Sequence, residues 1–298
     1  MSNIVTERFD RLRQERMVPA GRPATAVVGS VREIVAHRQL LDLLIRRDLK
    51  SRYKDSALGF AWTLIRPLVQ LAIYYFVLGK ILGASRNIPE FAVYVFAGLT
   101  LYGLFSEIVA AGTASIVSNA GLIKKIYLPR EIYPLASVGA ALFNFGVQLV
   151  VLLVATILQS GTAWIRLDLL YFFPSTLVIL IWATALALLL AAANVYLRDM
   201  QYLVEVLVLL LMWASPIVYS WQQVANAAPQ WLLNIYTANP ITLAVLGFHR
   251  AFWTAGPDSE YPSHLLIRLA VVGVAGLIAL LLCQRVFAKL QGNFAQEI

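Results

Sequence analysis

The chain has 298 residues, of which 60% are hydrophobic and 13% are charged, and its formal net charge is +8. A soluble domain carries about 25% charged residues, so this composition excludes an ordinary soluble protein and predicts an integral membrane protein. The basic residues lie beside apolar segments, as topology signals do, and we therefore expect no nucleic-acid partner. Cys283 is the single cysteine and the three histidines show no ligand spacing, so we expect no disulfide, no metal site and no cofactor bound by this chain.

Two polar segments precede the first apolar span. Residues 1–29 contain two prolines and no sustained periodicity, and we expect a polar, mobile extension. Residues 30–57 place apolar side chains at three- and four-residue steps between charges, which predicts an amphipathic helix too charged to span. This helix would lie at the membrane interface, although packing against a soluble partner would produce the same pattern.

Six apolar segments of spanning length follow, near residues 58–82, 91–111, 134–158, 169–194, 201–220 and 264–286. Lipid offers no hydrogen-bond partners, so each must be a helix. The predicted fold is an all-α integral membrane protein with six transmembrane helices in a domain at 58–290, followed by a cytoplasmic tail at 291–298. Most of the 24 Lys and Arg residues lie on the side that holds both termini, which predicts that both termini are cytoplasmic.

A few residues within the spans stand out. The fourth span repeats alanine every fourth residue at Ala183, Ala187 and Ala191, which favours close helix contact. Arg66 and Glu107 are charged residues at membrane depth and are candidates for function by default. Arg66 is close enough to the cytoplasmic end to extend its side chain towards the headgroups, and Glu107 would also suit a polar packing contact.

Two connections differ from ordinary short loops. The 118–134 connection contains a turn and then a short apolar and basic stretch, which needs a surface to bury against, either lipid headgroups or another protein. The 221–262 connection is rich in aromatic residues and is divided by prolines into pieces of about ten residues, which is typical of re-entrant or interfacial half-helices.

Four stretches together carry a family resemblance: RYKDSALGFAWTLIRPL at 52–68, NAGLIKKIYLPREIYPL at 119–135, VYLRDMQY at 195–202 and NPITLAVLGFHR at 239–250. In this combination and order the chain resembles the permease subunits of type-2 ABC exporters for polysaccharides, which export O-antigens, teichoic acids and related lipid-linked glycans. The resemblance covers roughly residues 30–290 and leaves the 1–29 extension outside it.

The resemblance implies a homodimer in the bacterial cytoplasmic (inner) membrane that recruits two copies of a separate ABC ATPase subunit. ATP and Mg²⁺ would belong to that subunit, which agrees with the absence of a G-x-x-x-x-G-K-[ST] phosphate loop from this sequence. By the same resemblance, 31–54 would be a gate helix, 120–131 a coupling helix docking on the ATPase, and 221–262 an external gate of short re-entrant helices. The implied coupling residues are Leu122, Lys124, Lys125, Tyr127, Leu128, Pro129, Arg130 and Glu131, and the implied external gate residues are Trp221, Asn239, Pro240, Thr242 and Arg250.

Two further sets of residues suit a polyprenyl-pyrophosphate-linked glycan substrate. The basic segment before the first span would bind the pyrophosphate. Its residues are Arg46, Arg47, Lys50, Arg52, Tyr53 and Lys54. Ordinary topology signals would give the same pattern. Aromatic faces would let sugars slide past without a fixed register, and the channel-lining candidates are Tyr74, Tyr75, Tyr102, Phe105 and Trp213. Packing is the competing role for each of these rings.

A membrane-embedded transferase acting on polyprenyl-phosphate-linked sugars is the alternative function. Such an enzyme needs acidic residues that converge on one site. The cytoplasmic acids Asp48, Asp55, Glu131 and Asp199 here each lie next to a basic residue and Asp42 lies four residues from Arg46, so we interpret them as ion-pair partners. An ion-coupled secondary transporter would show inverted repeats, and we find no internal repeat. We therefore expect a transport permease without an active site of its own.

Overall fold

The structure is a computed structural model. It describes residues 33–53, 61–81, 83, 86, 88–124, 128–161 and 165–298, with backbone only at 52, 53, 66, 78 and 295. The predicted 1–29 extension and the beginning of the predicted interface helix lie outside the described residues.

Helices account for most of the described chain, and those residues contain no β-strand. In chain order they are α1 (Arg38–Tyr53), α2 (Trp62–Ile73) continuing into a π-helix (Tyr74–Ile81), α3 (Phe91–Ser118), α4 (Ala120–Ile123), α5 (Ile132–Ser160), a 3₁₀ turn (Leu167–Tyr171), α6 (Phe172–Tyr196), α7 (Met200–Trp213), α8 (Trp221–Ala227), α9 (Gln230–Ala238), α10 (Pro240–Phe252), a 3₁₀ turn (Asp258–Glu260), α11 (Leu265–Leu290), a 3₁₀ turn (Gln291–Asn293) and α12 (Phe294–Glu297).

Five helical stretches of the described chain are long and apolar enough to cross a membrane. They are Trp62–Ile81, Phe91–Ser118, Ile132–Ser160, Leu167–Tyr196 and Asp258–Asn293. The 28 residues of α3, for example, reach about 42 Å at 1.5 Å per residue, which exceeds the ~30 Å hydrocarbon core. The prediction of an all-α membrane protein is confirmed.

The fifth predicted span, 201–220, differs from the structure. Helix α7 has only 14 residues, which correspond to about 21 Å, and it ends at Trp213. Pro216 explains the ending, because proline lacks an N–H and disfavours helical backbone at the residue before it. Further along the chain, α9 and α10 meet at an 81° bend and together have the length and apolarity of one broken span.

The centre of the bundle is formed by α3, α6 and α10. The alanine repeat of α6 is buried, and a β-carbon added at Gly112 of α3 would lie 2.5 Å from the Ala187 Cβ. The predicted close helix contact is therefore confirmed, and its partner is α3. In helix α10 every residue from 241 to 249 is buried. The helix can therefore be apolar on all sides, because protein surrounds it in the core.

The two ends of the bundle differ in character. We call the end that holds α1, the 119–131 connection, the 197–199 turn and residues 291–298 the basic end, and the end that holds the 214–239 and 253–264 segments the far end. A separate hydrophobic cluster fills the basic end, and its buried members come from α1, α3, α4, α5, α6, α11 and α12. The predicted 291–298 tail is folded into this cluster, because Phe294 and Ile298 are apolar and one helical turn apart.

Candidate functional site

The basic end joins the two segments that the sequence predicted to be a gate helix and a coupling helix. Leu44 of α1 and Ile123 of α4 belong to one hydrophobic cluster with the start of α5. Helix α1 lies close against α5, because a β-carbon added at Gly139 would collide with the Ile45 side chain. The 119–131 connection and α1 therefore share one packed cluster of apolar side chains.

A polar contact links the same two segments. The Arg47 guanidinium donates to the Asn119 side-chain oxygen at 2.7 Å and pairs with Asp48 at 2.7 Å. Asn119 occupies the turn between α3 and α4 and donates to the Ser115 carbonyl at 2.8 Å. Arg47 thus connects α1 to the 119–131 connection, and its predicted role as a phosphate ligand stays a prediction.

The structure describes the side chains of two other residues in the basic segment before the first span. Arg46 is exposed and pairs with Asp42 at 2.8 Å, and Lys50 is exposed near the end of α1. The interpretation of Asp42 and Asp48 as ion-pair partners, which argued against an enzyme, is confirmed. The side chains of Arg52 and Tyr53 and the whole of Lys54 lie outside the described residues.

The predicted coupling segment, 120–131, is helical in the structure only at Ala120–Ile123. Lys124 is exposed and Leu122, Leu128, Pro129 and Arg130 are half-buried, while Lys125 and Tyr127 lie outside the described residues. Glu131 is only 4% exposed and accepts a hydrogen bond from Gln291 at 3.4 Å, so it lies on the buried side of the segment.

At the far end, the predicted external gate consists of α8, α9, α10 and the turn before α11. Asn239 accepts from the Ile241 N–H at 3.0 Å and Pro240 occupies the first turn, which together start α10 at the 81° bend. Trp221 and Thr242 are buried, and Thr242 donates to the Ala214 carbonyl at 3.4 Å. By contrast, Trp231 on α9 is 64% exposed. Within the segment predicted to be the external gate, α10 is therefore buried, whereas α9 has an exposed face.

Two arginines hold the C-terminal end of α10. Arg166 donates to the backbone carbonyls of Arg250, Trp253 and Thr254 at 2.8 to 3.2 Å. Arg250 pairs with Asp168 at 2.9 Å and with Asp258 at 3.2 Å, and its guanidinium lies 5.0 Å from the centre of the Tyr171 ring. Since the last carbonyls of a helix have no partners within it, Arg166 satisfies carbonyls at and just after the end of α10. The Arg250–Asp168 pair joins this helix end to the 3₁₀ turn before α6.

A buried carboxylate fixes the start of α8. Glu260 is buried and accepts from the Ser220 hydroxyl at 3.1 Å and from the Gln222 N–H at 3.3 Å. Ser220 is also the N-cap of α8, in a capping box with Gln223. The gate segment is thereby attached to the turn that precedes α11.

Residues 39–253 match the family described as ABC-2 type transporter. The chain belongs to that family. The O-antigen export system permease protein RfbA of Myxococcus xanthus is 30% identical over 273 residues, which cover 91% of this chain and 100% of that protein. A protein of the same name from Klebsiella pneumoniae is 27% identical over 261 residues, covering 86% and 95%. The polysialic acid transport protein KpsM of Escherichia coli is 27% identical over 82 residues, covering 28% and 32%.

Membership of the ABC-2 family confirms the resemblance that the four sequence stretches indicated. The match includes all but the first residue of α1, the whole of the 119–131 connection and the whole of α10. The chain is therefore a multi-pass membrane subunit of a transporter.

The aromatic candidates for lining a channel in this ABC-2 family member fall into two groups. Tyr102 and Phe105 are buried in the protomer core, where the Tyr102 hydroxyl donates to the Val208 carbonyl. This burial leaves neither ring a face for a polymer, so we attribute both to packing. Tyr74 and Tyr75 are half-buried, and Trp213 is 52% exposed.

Several structural contacts were not found from the sequence. Arg166, Asp168 and Glu260 organise the far end, and Asn144 donates to Glu107 at 2.7 Å between α5 and α3. The Asn144 contact supports the packing alternative for Glu107, although it leaves a channel role open. A usable signal was present in the R-x-D pattern at 166–168, because two opposite charges beside a span are expected to bind neighbouring backbone or each other.

Proposed function

We propose that this chain is the membrane subunit of an ATP-driven exporter that moves a lipid-linked polysaccharide from the cytoplasmic side across a bacterial cytoplasmic membrane. A separate ABC ATPase, holding ATP and Mg²⁺, docks at the basic end, and both termini are cytoplasmic. The relatives named as O-antigen export permeases support the class of substrate. The observation that carries the mechanism is the Arg47–Asn119 contact, which joins α1 to the connection between α3 and α5.

The proposed coupling follows from this contact and from the shared hydrophobic cluster. ATP binding moves the docked ATPase, which pushes on the exposed part of the 119–131 connection around Lys124. Packed interiors transmit displacement, since they have few voids to absorb it. The movement passes to α1 through Leu44 and Arg47 and alters the entrance beside the first span.

A second copy of the chain would complete the channel against α2 and α7. Both helices expose most of their apolar side chains, and α2 carries a groove of about 400 Å³. The groove is lined by Trp62, Ile65, Val69, Gln70, Ile73 and Tyr74. Aromatic rings and one amide are suited to weak contacts with sugars, whereas an amide in lipid would lack partners. In this proposal α2 faces the polymer.

Docking is tested by charging one apolar residue of the connection. Leu128→Asp should reduce co-purification of the partner ATPase at least tenfold, because an apolar contact is replaced by a desolvated carboxylate. Leu197→Asp is the matched control, since it places the same change on an exposed turn at the same end of the bundle. Equal retention of the ATPase by the Leu128→Asp variant and the native chain would contradict docking at this segment.

Binding of the pyrophosphate is tested on α1. Lys50→Glu should weaken stimulation of ATP hydrolysis by a polyprenyl-pyrophosphate glycan several-fold, because a phosphate ligand becomes a repulsive charge. Arg38→Glu is the control, since Arg38 is also exposed but lies twelve residues away, about 18 Å along the helix. If both variants lose stimulation equally, general surface charge and not a local phosphate site is responsible.

A further inference from the structure

Residues 291–298 form an ordered segment that closes the basic end. Phe294 has 0% of its surface exposed, and its ring centre lies 5.4 Å from that of Phe287 and 6.2 Å from that of Tyr196. The Tyr196 hydroxyl donates to the Leu290 carbonyl at 3.0 Å. The segment is thus fixed to the ends of α6 and α11.

The same segment contacts the connection that is proposed to dock on the ATPase. The Arg130 guanidinium lies 5.6 Å from the centre of the Phe294 ring, a cation–π distance. One residue further on, buried Glu131 accepts from buried Gln291 at 3.4 Å. Two successive residues of the connection therefore contact two residues of the 291–298 segment.

The outward face of the segment is polar. Gly292, Asn293, Gln296 and Glu297 are exposed, while the inward face carries Phe294 and Ile298. A segment that inserted into lipid would show an apolar outer face, so this pattern favours an aqueous setting for the outer face. The inner face is fully explained by packing on the bundle.

We propose that residues 291–298 hold the 128–131 part of the connection in the position that the ATPase recognises. This inference rests on the proposed function. Arg47 holds the connection from one side, at Asn119, and the 291–298 segment holds it from the other, at Arg130 and Glu131. A docking segment that is fixed at both ends transmits the displacement of the docked ATPase to the bundle, whereas a segment with one free end bends instead.

The first test measures ATPase retention by immobilised permease over a series of ATPase concentrations. Phe294→Ala should raise the apparent Kd about tenfold, because the ring that supports Arg130 is lost. Gln296→Ala is the matched control, since it alters an exposed residue of the same short helix and should change the Kd less than twofold.

A second readout follows the connection without the ATPase. In a Cys283→Ser background, Leu128→Cys should react with a soluble maleimide several-fold faster when Phe294→Ala is also present, because the connection loses its support. Gln296→Ala should leave the rate unchanged. A role of the segment in general fold stability alone would not raise the local rate in a protein that elutes as an intact species.

If Phe294→Ala fails to accumulate in the membrane, Gln291→Leu tests the same contact, since it keeps the side-chain volume and removes the donor to Glu131. We expect it to weaken retention about threefold. A folded variant with native Kd and native labelling rate would overturn this inference and leave the proposed function standing. A native chain that retains no ATPase would overturn both.

Discussion

Removal of the Arg166 side chain should destabilise the far end of the bundle. Its guanidinium donates to three backbone carbonyls at the end of α10 and lies 3.7 Å from Asp168. A hydrogen bond from a charged donor contributes roughly 1.5–3 kcal/mol. The side chain is 26% exposed, so water replaces part of what is lost. We expect Arg166→Ala to cost about 2–3 kcal/mol of unfolding free energy.

The assay is thermal unfolding of the purified protein in detergent. At roughly 2–4 °C for each kcal/mol, the expected decrease in Tm is about 5 °C or more. Arg166→Lys keeps the positive charge but lacks the planar guanidinium that reaches several carbonyls. Its Tm should therefore lie between those of the native protein and the Arg166→Ala variant. Arg86→Ala is the control, because Arg86 is exposed at the same end. A Tm for Arg166→Ala equal to that of the control would refute the helix-end argument.

Three further substitutions test other contacts. Gly139→Leu should displace α1, because the new side chain collides with Ile45, and should increase proteolysis of α1 while the rest of the chain stays protected. Gly112→Leu should lower the yield of folded protein strongly, because α3 cannot approach α6 as closely, whereas Gly121→Leu, with open space around it, should be tolerated. Glu260→Ala should speed maleimide labelling of a cysteine introduced on α8, because the Ser220 hydroxyl and a backbone N–H lose their acceptor, and Glu260→Gln should have a smaller effect. Unchanged protease patterns, yields or labelling rates would contradict the respective contact.

The membrane character and the long helices could be predicted because lipid leaves few alternatives for an apolar segment. The exact ends could not, since α7 stops before Pro216 while α3 continues to Ser118, beyond the predicted end at 111. Hydropathy alone does not distinguish a spanning helix from α10, which is apolar because it is buried in protein. The packing of α6 could be read from its alanines, because small side chains have one common use between helices.

The candidate site was predicted at the level of segments and less well at the level of side chains. The 119–131 connection was identified by apolar residues that needed a surface, and the structure supplies part of that surface at Ile123. The contact of Arg47 with Asn119 was not predicted, because it joins residues 72 positions apart and no local pattern reveals it. Glu260 was missed for the same reason, since its partners lie in α8, across the gate segment.

The central claim, that this chain exports a lipid-linked glycan with a separate ATPase, is tested most directly in the native host. Deletion of the chain should remove the glycan from the cell surface and cause polyprenyl-pyrophosphate-linked glycan to accumulate inside. The native chain should restore export, whereas the Leu128→Asp variant, present at the same level in the membrane, should not. Unchanged surface glycan after deletion, with no accumulation inside, would contradict the account.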